Sequence, residues 1–387
     1  MFSNSRITLK GQIGKGEFSH IYKCLDGDGA EKAVKCLTIN QKTGITCLFE
    51  CVIMSKLSFP YLNSCLSIGF TLNKLYLIQE LAICDLFEWR KKNSSSEFQL
   101  DEQMKTWISQ VLLAIQHLHS LNIVHGDIKA SNILLYSTGS IKLTDYSLSF
   151  KEDWITDKCA SSRQVCTGSH RPLEVWLGKK WNRSVDVWAF GCFIYELTYG
   201  TQLFPNTIPF QDRIELFKKW ESFLNSEKND NNLFKNFNNI QKIPVNNLLL
   251  SILQVDVSKR FTLEEIQNHE YLSTCTFPDF GKINPEVLNP EKIVKPIVGI
   301  PNNLPENVKI NISKLYRQVS DLKDITNLNK LKTCIHMYKK MISGETQLNN
   351  NTSTSSYINT FTSLDEETKL VKYERHILKY VSFDIPI

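Results

Sequence analysis

The sequence predicts an α+β fold in which a small strand-rich lobe precedes a larger helical lobe and a C-terminal extension. Three observations predict it. Over the first eighty residues, short strand-like runs alternate with turn residues. After residue 85, apolar residues recur at the three- and four-residue intervals that are typical of helices. From about residue 276, prolines punctuate a stretch without clear periodicity. A length of 387 residues suits two or three such units.

The strand-rich lobe is predicted to contain five strands and one helix. The strand-like runs, each bounded by Gly, Asn or Asp, lie at about 7–13, 20–25, 31–38, 66–71 and 75–80. A helix is predicted over 45–57, because apolar residues there repeat at helical spacing: Ile45, Leu48, Phe49, Val52 and Ile53. The lobe is therefore predicted to be mainly β.

The second lobe is predicted to consist mainly of helices. Asp101 and Glu102 favour a helix N-terminus, and the apolar residues that follow repeat at helical spacing: Met104, Ile108, Val111, Leu112, Ile115 and Leu118. A second apolar helix is predicted over 184–199. Shorter helices are predicted near 211–226, 245–254 and 262–268.

The remainder of the chain is predicted to form an extension in two parts. A Pro-rich linker is predicted over 276–310 and a helical extension of unknown role over 311–387. Within the extension, helical patches near 311–343 and 363–381 flank the polar low-complexity loop at 349–356. The organised domain is therefore expected to cover residues 7–275.

Composition and charge exclude several classes of protein. The chain has 45 Lys and Arg against 40 Asp and Glu, a formal charge of +5, and its basic pairs are scattered. Proteins that bind nucleic acid usually cluster their basic residues, so we expect no nucleic-acid partner. No apolar run approaches the roughly eighteen residues of a membrane span, so we expect no membrane partner.

Cysteine usage indicates a reducing compartment. The eleven cysteines have irregular spacing, which suits buried thiols of a cytoplasmic or nuclear protein. The Asn- and Lys-rich loops hint at an AT-rich genome, such as that of a protist or a large DNA virus. If the source is viral, the compartment is that of the host cell. Cys159, Cys166 and His170 form a weak zinc hypothesis, because no CxxC pair accompanies them.

The segment HGDIKASN at 125–132 has a pattern that suits phosphoryl transfer. Asp127 can accept the proton of a substrate hydroxyl, Lys129 can neutralise charge on the transferred phosphoryl group, and Asn132 can hold a metal. Asp145 follows the strand-like run IKLT, where a carboxylate can hold Mg²⁺. On its own this pattern also fits a pair of solvated turns.

Independent matches lie in the strand-rich lobe. The segment GKGEFS at 14–19 joins two strands with small residues, which lets backbone N–H groups approach phosphates, although Gly-rich hairpin turns are common. AVK at 33–35 places Lys35 on the next strand, and Glu50 falls on the predicted helix. Glu50 can pair with Lys35. The alternatives are a surface carboxylate for Glu50 and an exposed strand residue for Lys35.

Together these motifs resemble the protein kinase superfamily over roughly residues 7–275. TGSHRPLE at 167–174 is similar to the substrate-docking segment, and SVDVWAFGC at 184–192 to the helix whose Asp, here Asp186, holds the catalytic loop. Arg260 matches the Arg that pairs with the closing Glu, here Glu174. The resemblance implies a bilobal fold with an antiparallel N-terminal sheet and a helical C-terminal lobe.

The resemblance also implies cofactors and site residues. It implies ATP and Mg²⁺ as cofactors and a protein substrate with a Ser or Thr acceptor, because Lys129 and Thr167 are the serine/threonine-type choices. The implied metal ligands are Asn132 and Asp145. The implied catalytic residues are Asp127, Lys129, Asn132 and Thr167. The implied nucleotide-binding residues are Ile13, Gly14, Lys15, Gly16, Ser19, Ile21, Ala33, Lys35, Glu50, Glu80, Ala82, Asp85 and Leu134.

Within the superfamily, the chain is similar to the cyclin-dependent-kinase-like branch. KLYLIQELAICDL at 74–86 aligns without gaps with the hinge of that branch, which makes Gln79 the gatekeeper. The match breaks at residues 46–56, which do not spell the helix that contacts cyclin. The tail segment 373–387 resembles a short piece of the cyclin fold, and a generic amphipathic helix fits it nearly as well. A cyclin-like regulatory partner is therefore a further hypothesis.

Four departures from the kinase pattern bear on activity. Ser19 replaces the third glycine of the phosphate loop, and Gly126 replaces the Arg that binds a phosphorylated activation loop. The Asp-Phe-Gly motif reads Asp145-Tyr146-Ser147, and Ala-Pro-Glu reads Pro172-Leu173-Glu174. The leading hypothesis is an active serine/threonine kinase, and the alternative is a pseudokinase that acts as a nucleotide-dependent scaffold. The segment 167–174 and Arg260 disfavour a small-molecule phosphotransferase.

Overall fold

The structure is a computed structural model that describes residues 7–16, 19–38, 47, 50–51, 53–54, 57–70, 74–93, 101–152, 165–225 and 244–278. The predicted extension beyond residue 278 lies outside these residues. The described residues fall into two compact units. The first contains those up to residue 51 together with 66–78, and the second contains 53–65 and those from residue 79 onward.

The first unit contains a five-stranded sheet with the order β1-β2-β3-β5-β4. Its strands are β1 Thr8–Lys15, β2 Ser19–Leu25, β3 Glu31–Thr38, β4 Ser67–Phe70 and β5 Lys74–Glu80, the last of which runs on into the second unit. β1 pairs with β2, β2 with β3 and β4 with β5, each time antiparallel. All five strands lie where the alternation of strand-like runs and turns predicts them, so the predicted antiparallel lobe is confirmed.

Apolar residues of this sheet form a buried cluster. Cys24, Val34 and Ile78 are buried there, with Ile7 and Tyr22 packed against them. Strand β1 is exposed over most of its length, as is usual for an edge strand. Of the described residues in the predicted helix 45–57, Cys47, Glu50, Cys51, Ile53 and Met54 have helical backbone, Leu57 does not, and all six side chains are buried.

The second unit is mainly helical. Its helices are α1 Leu86–Lys92, α2 Asp101–Ser120, α3 Leu173–Trp176, α4 Ser184–Tyr199, α5 Phe210–Leu224, α6 Val245–Ile252 and α7 Leu263–Gln267. Short strands accompany them: β6 Cys84–Asp85, β7 Ile123–Val124, β8 Ile133–Leu135, β9 Ile141–Leu143 and β10 Phe150–Lys151. Five of these helices match predictions, whereas α1 and α3 were not predicted, because seven and four residues are too short to show a helical period.

Helix α4 is the centre of this unit. Every residue from Val185 to Leu197 is buried. A Cβ at Gly191 would lie 2.6 Å from Ile252, so glycine lets α4 and α6 pack closely. The helix ends at Gly200, whose left-handed backbone (φ 68°) lets its N–H bond to the carbonyl of Glu196. The apolar run at 184–199 therefore predicts both the helix and its burial.

An aromatic cluster and a capping box stabilise the surrounding helices. Trp188, Phe204, Phe217 and Trp220 are buried with ring centroids 4.7–6.2 Å apart, and each buried aromatic side chain contributes about 1.5–3 kcal/mol. At the start of α7, Thr262 and Glu265 bond reciprocally to each other's backbone N–H.

Among the described helices, none is both long and apolar enough to span a bilayer.

Candidate active site

The loop at 125–132 holds a buried carboxylate inside a cluster of donors. Oδ1 of Asp127 accepts hydrogen bonds from the backbone N–H of Thr167 at 3.0 Å and from its hydroxyl at 2.6 Å. Oδ2 lies 2.7 Å from Nζ of Lys129 and accepts a 3.0 Å bond from Nδ2 of Asn132. Nζ of Lys129 also donates to the Thr167 hydroxyl at 2.8 Å. The structure thus brings all four predicted catalytic residues together.

The electrostatics of this cluster keep Asp127 ionised. Burial alone would raise the pKa of Asp127, but the charge and hydrogen bond of Lys129 and the hydrogen bond from Thr167 outweigh it. The pKa of Asp127 is therefore below its ordinary value. At neutral pH the carboxylate is an acceptor that can orient a hydroxyl group.

Asp186, in the first turn of α4, anchors the backbone of this loop. Its fully buried carboxylate accepts the N–H of His125 at 2.8 Å and of Gly126 at 2.9 Å, and it lies 2.9 Å from Nε2 of His119. The prediction that Asp186 ties down the catalytic loop is confirmed. Because each of these groups would cost free energy if buried without a partner, the loop has a defined conformation.

Asn132 and Asp145, the predicted metal ligands, have a donor set that fits Mg²⁺. Nδ2 of Asn132 is held by the carbonyl and the carboxylate of Asp127, which leaves the amide oxygen as the atom available to a cation. Asp145 follows β9, and the preceding Thr144 donates its N–H to the carbonyl of Asn132 at 2.9 Å. An amide oxygen and a carboxylate are the hard oxygen ligands that Mg²⁺ prefers.

The zinc hypothesis gains no support from the described residues. Among them, no three His, Cys, Asp or Glu side chains form a metal-binding group. Cys166 is fully buried, and burial raises the pKa of its thiol well above the ordinary value, so it stays protonated. Cys159 lies outside the described residues.

In the first unit, Lys35 and Glu50 form a buried ion pair. Nζ of Lys35 on β3 lies 2.5 Å from Oε1 of Glu50, and the two residues are 7% and 1% exposed. The predicted pairing is confirmed, and the alternative reading of two surface residues is wrong. Ala33 is buried on the same strand, two residues before Lys35.

The Gly-rich segment joins β1 and β2 as a hairpin. Gly14 pairs with Ile21, and Lys15 pairs with His20. The N–H of Gly16 donates to the carbonyl of Ser19 at 2.8 Å. Ser19 is buried, and its side chain would meet a Cβ at Gly16. Ile13 is 52% exposed, and residues 17 and 18 lie outside the described residues. The predicted phosphate-loop residues thus lie in one hairpin.

The predicted hinge residues form one continuous stretch of the second unit. Glu80 pairs with Nζ of Lys142 at 2.5 Å, and Ala82 is half-buried. Asp85 pairs with Leu134 across β6 and β8, and its carboxylate accepts the N–H of Glu88 as the cap of α1. Burial raises the pKa of Asp85, and this N–H bond opposes the rise. The structure therefore gives the Asp85 carboxylate a capping contact that the hinge alignment did not include.

Comparison with known proteins identifies the family. The model of the protein kinase domain matches residues 7–272. This chain belongs to the protein kinase family. It is 31% identical over 205 residues to a probable cell division protein kinase of Encephalitozoon cuniculi, an alignment that covers 52% of this chain and 74% of that protein.

Two further relatives of the kinase carry cyclin-dependent names. It is 29% identical over 304 residues to the probable cyclin-dependent kinase 10 of Dictyostelium discoideum, covering 71% of this chain and 81% of that protein. It is 26% identical over 298 residues to cyclin-dependent kinase 12 of Caenorhabditis elegans, covering 68% of this chain and 40% of that protein. The chain is therefore similar to kinases near the cyclin-dependent branch.

Two arginines, the buried Arg260 and the half-buried Arg171, bind the segment at 165–174. The guanidinium of Arg260 binds both carboxylate oxygens of Glu174, at 2.9 and 3.3 Å, which confirms the predicted pair. Arg171 donates to the carbonyls of Val165 and Cys166 at 2.8–3.1 Å. Cys166 has a positive φ of 62°, a conformation that costs a residue with a side chain about 1–2 kcal/mol. These arginine contacts hold the segment that leads to Thr167.

Two departures from the kinase pattern have a local physical explanation. Gly126 has φ 77°, and a Cβ there would lie 2.8 Å from the carbonyl oxygen of Leu148, so glycine suits this position. Ser147 is not among the described residues with positive φ, so the position does not need the freedom of the usual glycine. The kinase domain therefore accommodates both replacements without backbone strain at these sites.

Sequence reasoning missed Asn63, whose side chain contacts Thr144 next to the candidate metal ligand. Asn63 is 1% exposed and donates from one amide nitrogen to Gln79 at 2.8 Å and to the hydroxyl of Thr144 at 3.0 Å. A signal was present, since Gln79 is a polar residue inside the apolar run LYLIQEL. Its partner could not be read from the sequence, because Asn63 is 16 residues from Gln79 and 81 from Thr144.

Proposed function

We propose that this protein kinase is active and transfers the γ-phosphate of ATP to serine or threonine hydroxyls of protein substrates. The observation that carries the proposal is the cluster at Asp127. Its carboxylate has a lowered pKa and accepts a 2.6 Å bond from a hydroxyl, that of Thr167. A substrate hydroxyl in that place would meet the same acceptor.

Each residue of the site has a role in this proposal. Asp127 orients the acceptor hydroxyl and receives its proton, while Lys129 neutralises charge on the phosphoryl group. Asn132 and Asp145 hold the metal, and Lys35, kept in place by Glu50, binds the phosphates. When bound, Mg²⁺ supplies positive charge at the phosphate oxygens.

The choice of acceptor and of partner belongs to the same proposal. Lys129 and Thr167, in contact at 2.8 Å, are the residues that support a Ser or Thr acceptor. The cyclin-dependent names of relatives support a regulatory partner of the cyclin type. The cyclin-like segment at 373–387 lies outside the described residues and stays a prediction. A cytoplasmic or nuclear location completes the proposal.

The same contact also fits a pseudokinase, which is the second candidate. The Thr167 hydroxyl already lies on Oδ1 of Asp127, where the proposal places the substrate hydroxyl, and Lys129 lies on Oδ2. A scaffold that binds nucleotide without turnover would keep Thr167 and Lys129 in contact with Asp127. An active kinase would exchange the Thr167 contact for the substrate.

The deciding experiment is a radiolabelled ATP assay with generic protein substrates. We expect Asp127→Asn to lower the rate by about 10²–10⁴-fold while ATP still stabilises the protein in a thermal-shift series, because Asp127 meets the acceptor and not the nucleotide. Asp212→Asn, an exposed residue of α5, is the matched control and should keep wild-type activity.

Each result of that assay has a defined meaning. ATP-induced stabilisation without phosphate transfer in the wild type would favour the scaffold. Equal activity in wild type and Asp127→Asn would indicate a contaminating kinase. Phosphoamino-acid analysis that yields chiefly phosphotyrosine would overturn the Ser/Thr acceptor.

A further inference from the structure

Four polar side chains form a buried network in the second unit, next to the candidate metal ligand Asp145. They are Asn63, Gln79, Thr144 and Tyr146, and we call them the buried polar network. Asn63 and Gln79 are 1% and 6% exposed, Tyr146 is fully buried and Thr144 is half-buried. An unpaired polar group at such depth costs free energy, and these side chains are stabilised by hydrogen bonds to one another and to backbone carbonyls.

Asn63 is the centre of the network, because all four of its polar groups are bonded. Its amide nitrogen donates to Gln79 and to Thr144, at 2.8 and 3.0 Å, and its amide oxygen accepts a weak 3.4 Å bond from Tyr136. Its backbone N–H donates to the carbonyl of Leu143 at 2.8 Å. Its backbone carbonyl accepts the hydroxyl of Tyr146 at 3.0 Å.

The hydroxyl of Tyr146 makes hydrogen bonds that a phenylalanine at this position could not make. Its hydroxyl lies 3.0 Å from the carbonyl of Asn63 and 3.2 Å from that of Leu143. If the ring rotated away, the hydroxyl would lose both contacts. The hydroxyl therefore opposes any movement of the residue that follows Asp145.

The residue before Asp145 is held as firmly. The carbonyl of Thr144 lies 3.1 Å from Nε2 of His125, its N–H donates to the carbonyl of Asn132 at 2.9 Å, and its hydroxyl accepts from Asn63. Asp145 itself has a left-handed backbone, with φ 67°. Such a conformation persists when the neighbouring residues are fixed.

We propose that Asn63 and Tyr146 are positioning residues that hold Asp145 in one backbone conformation, so that its carboxylate is ready for the metal before any ligand arrives. The inference rests on the proposed function, in which Asp145 is a metal ligand.

Tyr146→Phe tests the proposal, because it removes only the hydroxyl. Tyr136→Phe is the matched control. It makes the same change at a buried tyrosine whose hydroxyl makes a weak 3.4 Å bond to the amide oxygen of Asn63. Amide hydrogen exchange of peptides that cover 141–150 is measured without ligand. We expect exchange there to be roughly five- to tenfold faster in Tyr146→Phe, from the loss of a buried hydrogen bond, and unchanged in Tyr136→Phe.

The second measurement is a Mg²⁺ titration of the ATP-induced thermal shift at fixed ATP. We expect Tyr146→Phe to raise the half-saturating Mg²⁺ concentration roughly five- to tenfold, whereas a purely structural loss would lower the melting temperature without moving that midpoint. Asn63→Leu, whose larger side chain branches at the same position as that of Asn, removes the three side-chain hydrogen bonds and should act in the same direction.

The outcomes separate this proposal from the proposed function. If exchange at 141–150 and the Mg²⁺ midpoint are the same in Tyr146→Phe and Tyr136→Phe, the positioning role is wrong. If wild type shows no response to Mg²⁺ and ATP, the proposed function fails. The exchange contrast between the two tyrosine variants still decides whether the network holds Asp145.

Discussion

The carboxylates of Glu50 and Asp127 are both buried, but the two regions compensate their charge in different ways. Glu50 faces the ammonium of Lys35 at 2.5 Å. Asp127 receives an ammonium, two hydrogen bonds from Thr167 and one from Asn132. In both regions an opposite charge lies against the buried carboxylate, and in the second region neutral donors add to it. We expect loss of that charge to destabilise both regions.

A third ion pair illustrates that burial, more than the N–O distance, determines how much free energy is lost when the pair is broken. Lys23 and Glu31 also lie 2.5 Å apart, but their side chains are 36% and 54% exposed. Water and salt screen such a pair, and exposed pairs contribute about 0–1 kcal/mol. A buried pair from which one partner is removed leaves an uncompensated charge, which costs about 3–5 kcal/mol.

The largest effect is expected from Lys35→Met. It leaves Glu50 buried without that cation, so the free energy of unfolding should fall by about 3 kcal/mol and the stabilisation by ATP should disappear. Lys23→Met, on the neighbouring strand, should change the free energy of unfolding by less than about 1 kcal/mol. Urea unfolding of both variants makes the comparison, and equal losses would show that burial does not distinguish the two pairs.

A smaller effect is expected from Gly126→Ala in the catalytic loop. Both Gly126 and Gly139 have positive φ, 77° and 79°, but a new Cβ meets the carbonyl of Leu148 at 2.8 Å only at the first. Gly139→Ala should cost about 1 kcal/mol for backbone strain, and Gly126→Ala about 1 kcal/mol more for the clash. Melting temperatures measure the difference.

The rate of phosphate transfer gives a second comparison of Gly126→Ala with Gly139→Ala. Because Gly126 precedes Asp127, Gly126→Ala should also lower the rate of phosphate transfer, whereas Gly139→Ala should leave the rate unchanged. Identical melting points and rates for the two variants would mean that the loop accommodates a side chain at Gly126, and that its conformation is less defined than the contacts with Asp186 indicate.

The smallest effect concerns pH and Glu196 of α4, which links the docking segment to the catalytic loop. Burial alone would raise the pKa of Glu196, but the side chain of His170, whose Nε2 lies 3.5 Å from the carboxylate, and hydrogen bonds from Gln202 and the Ala130 backbone hold it below the ordinary 4.5. The folded-state pKa is thus lower than the unfolded one. This stabilisation is present above about pH 4.5 and is lost as the pH falls through the folded-state pKa.

Glu196→Gln should therefore lower the melting temperature at neutral pH and flatten its decline on the acid side. Glu215→Gln, whose carboxylate on α5 is exposed, is the control and should follow the wild-type curve. Melting temperatures measured from about pH 3.5 to 7 test this. An acid limb of unchanged slope in Glu196→Gln would assign the acid sensitivity to other carboxylates.

Much of the fold was readable from the sequence, because its signals are local. The alternation of strand-like runs and turns placed all five strands of the first sheet, and the apolar period placed α2 and α4. The short helix at Leu173–Trp176 was missed, since one helical turn carries no period of its own. Its position depends instead on the ion pair between Glu174 and Arg260, 86 residues apart.

Some residues of the candidate site could likewise be predicted from the sequence, and others were found only in the structure. The sequence by itself predicted Asp127, Lys129 and Asn132, because phosphoryl transfer needs these residue types within one short loop. Only the tertiary structure showed that Asn63 and Tyr146 are hydrogen-bonded beside Asp145. The physical reason is that a hydrogen bond depends on distance and direction in space. Partners separated by 81 and 83 residues meet only after the chain has folded.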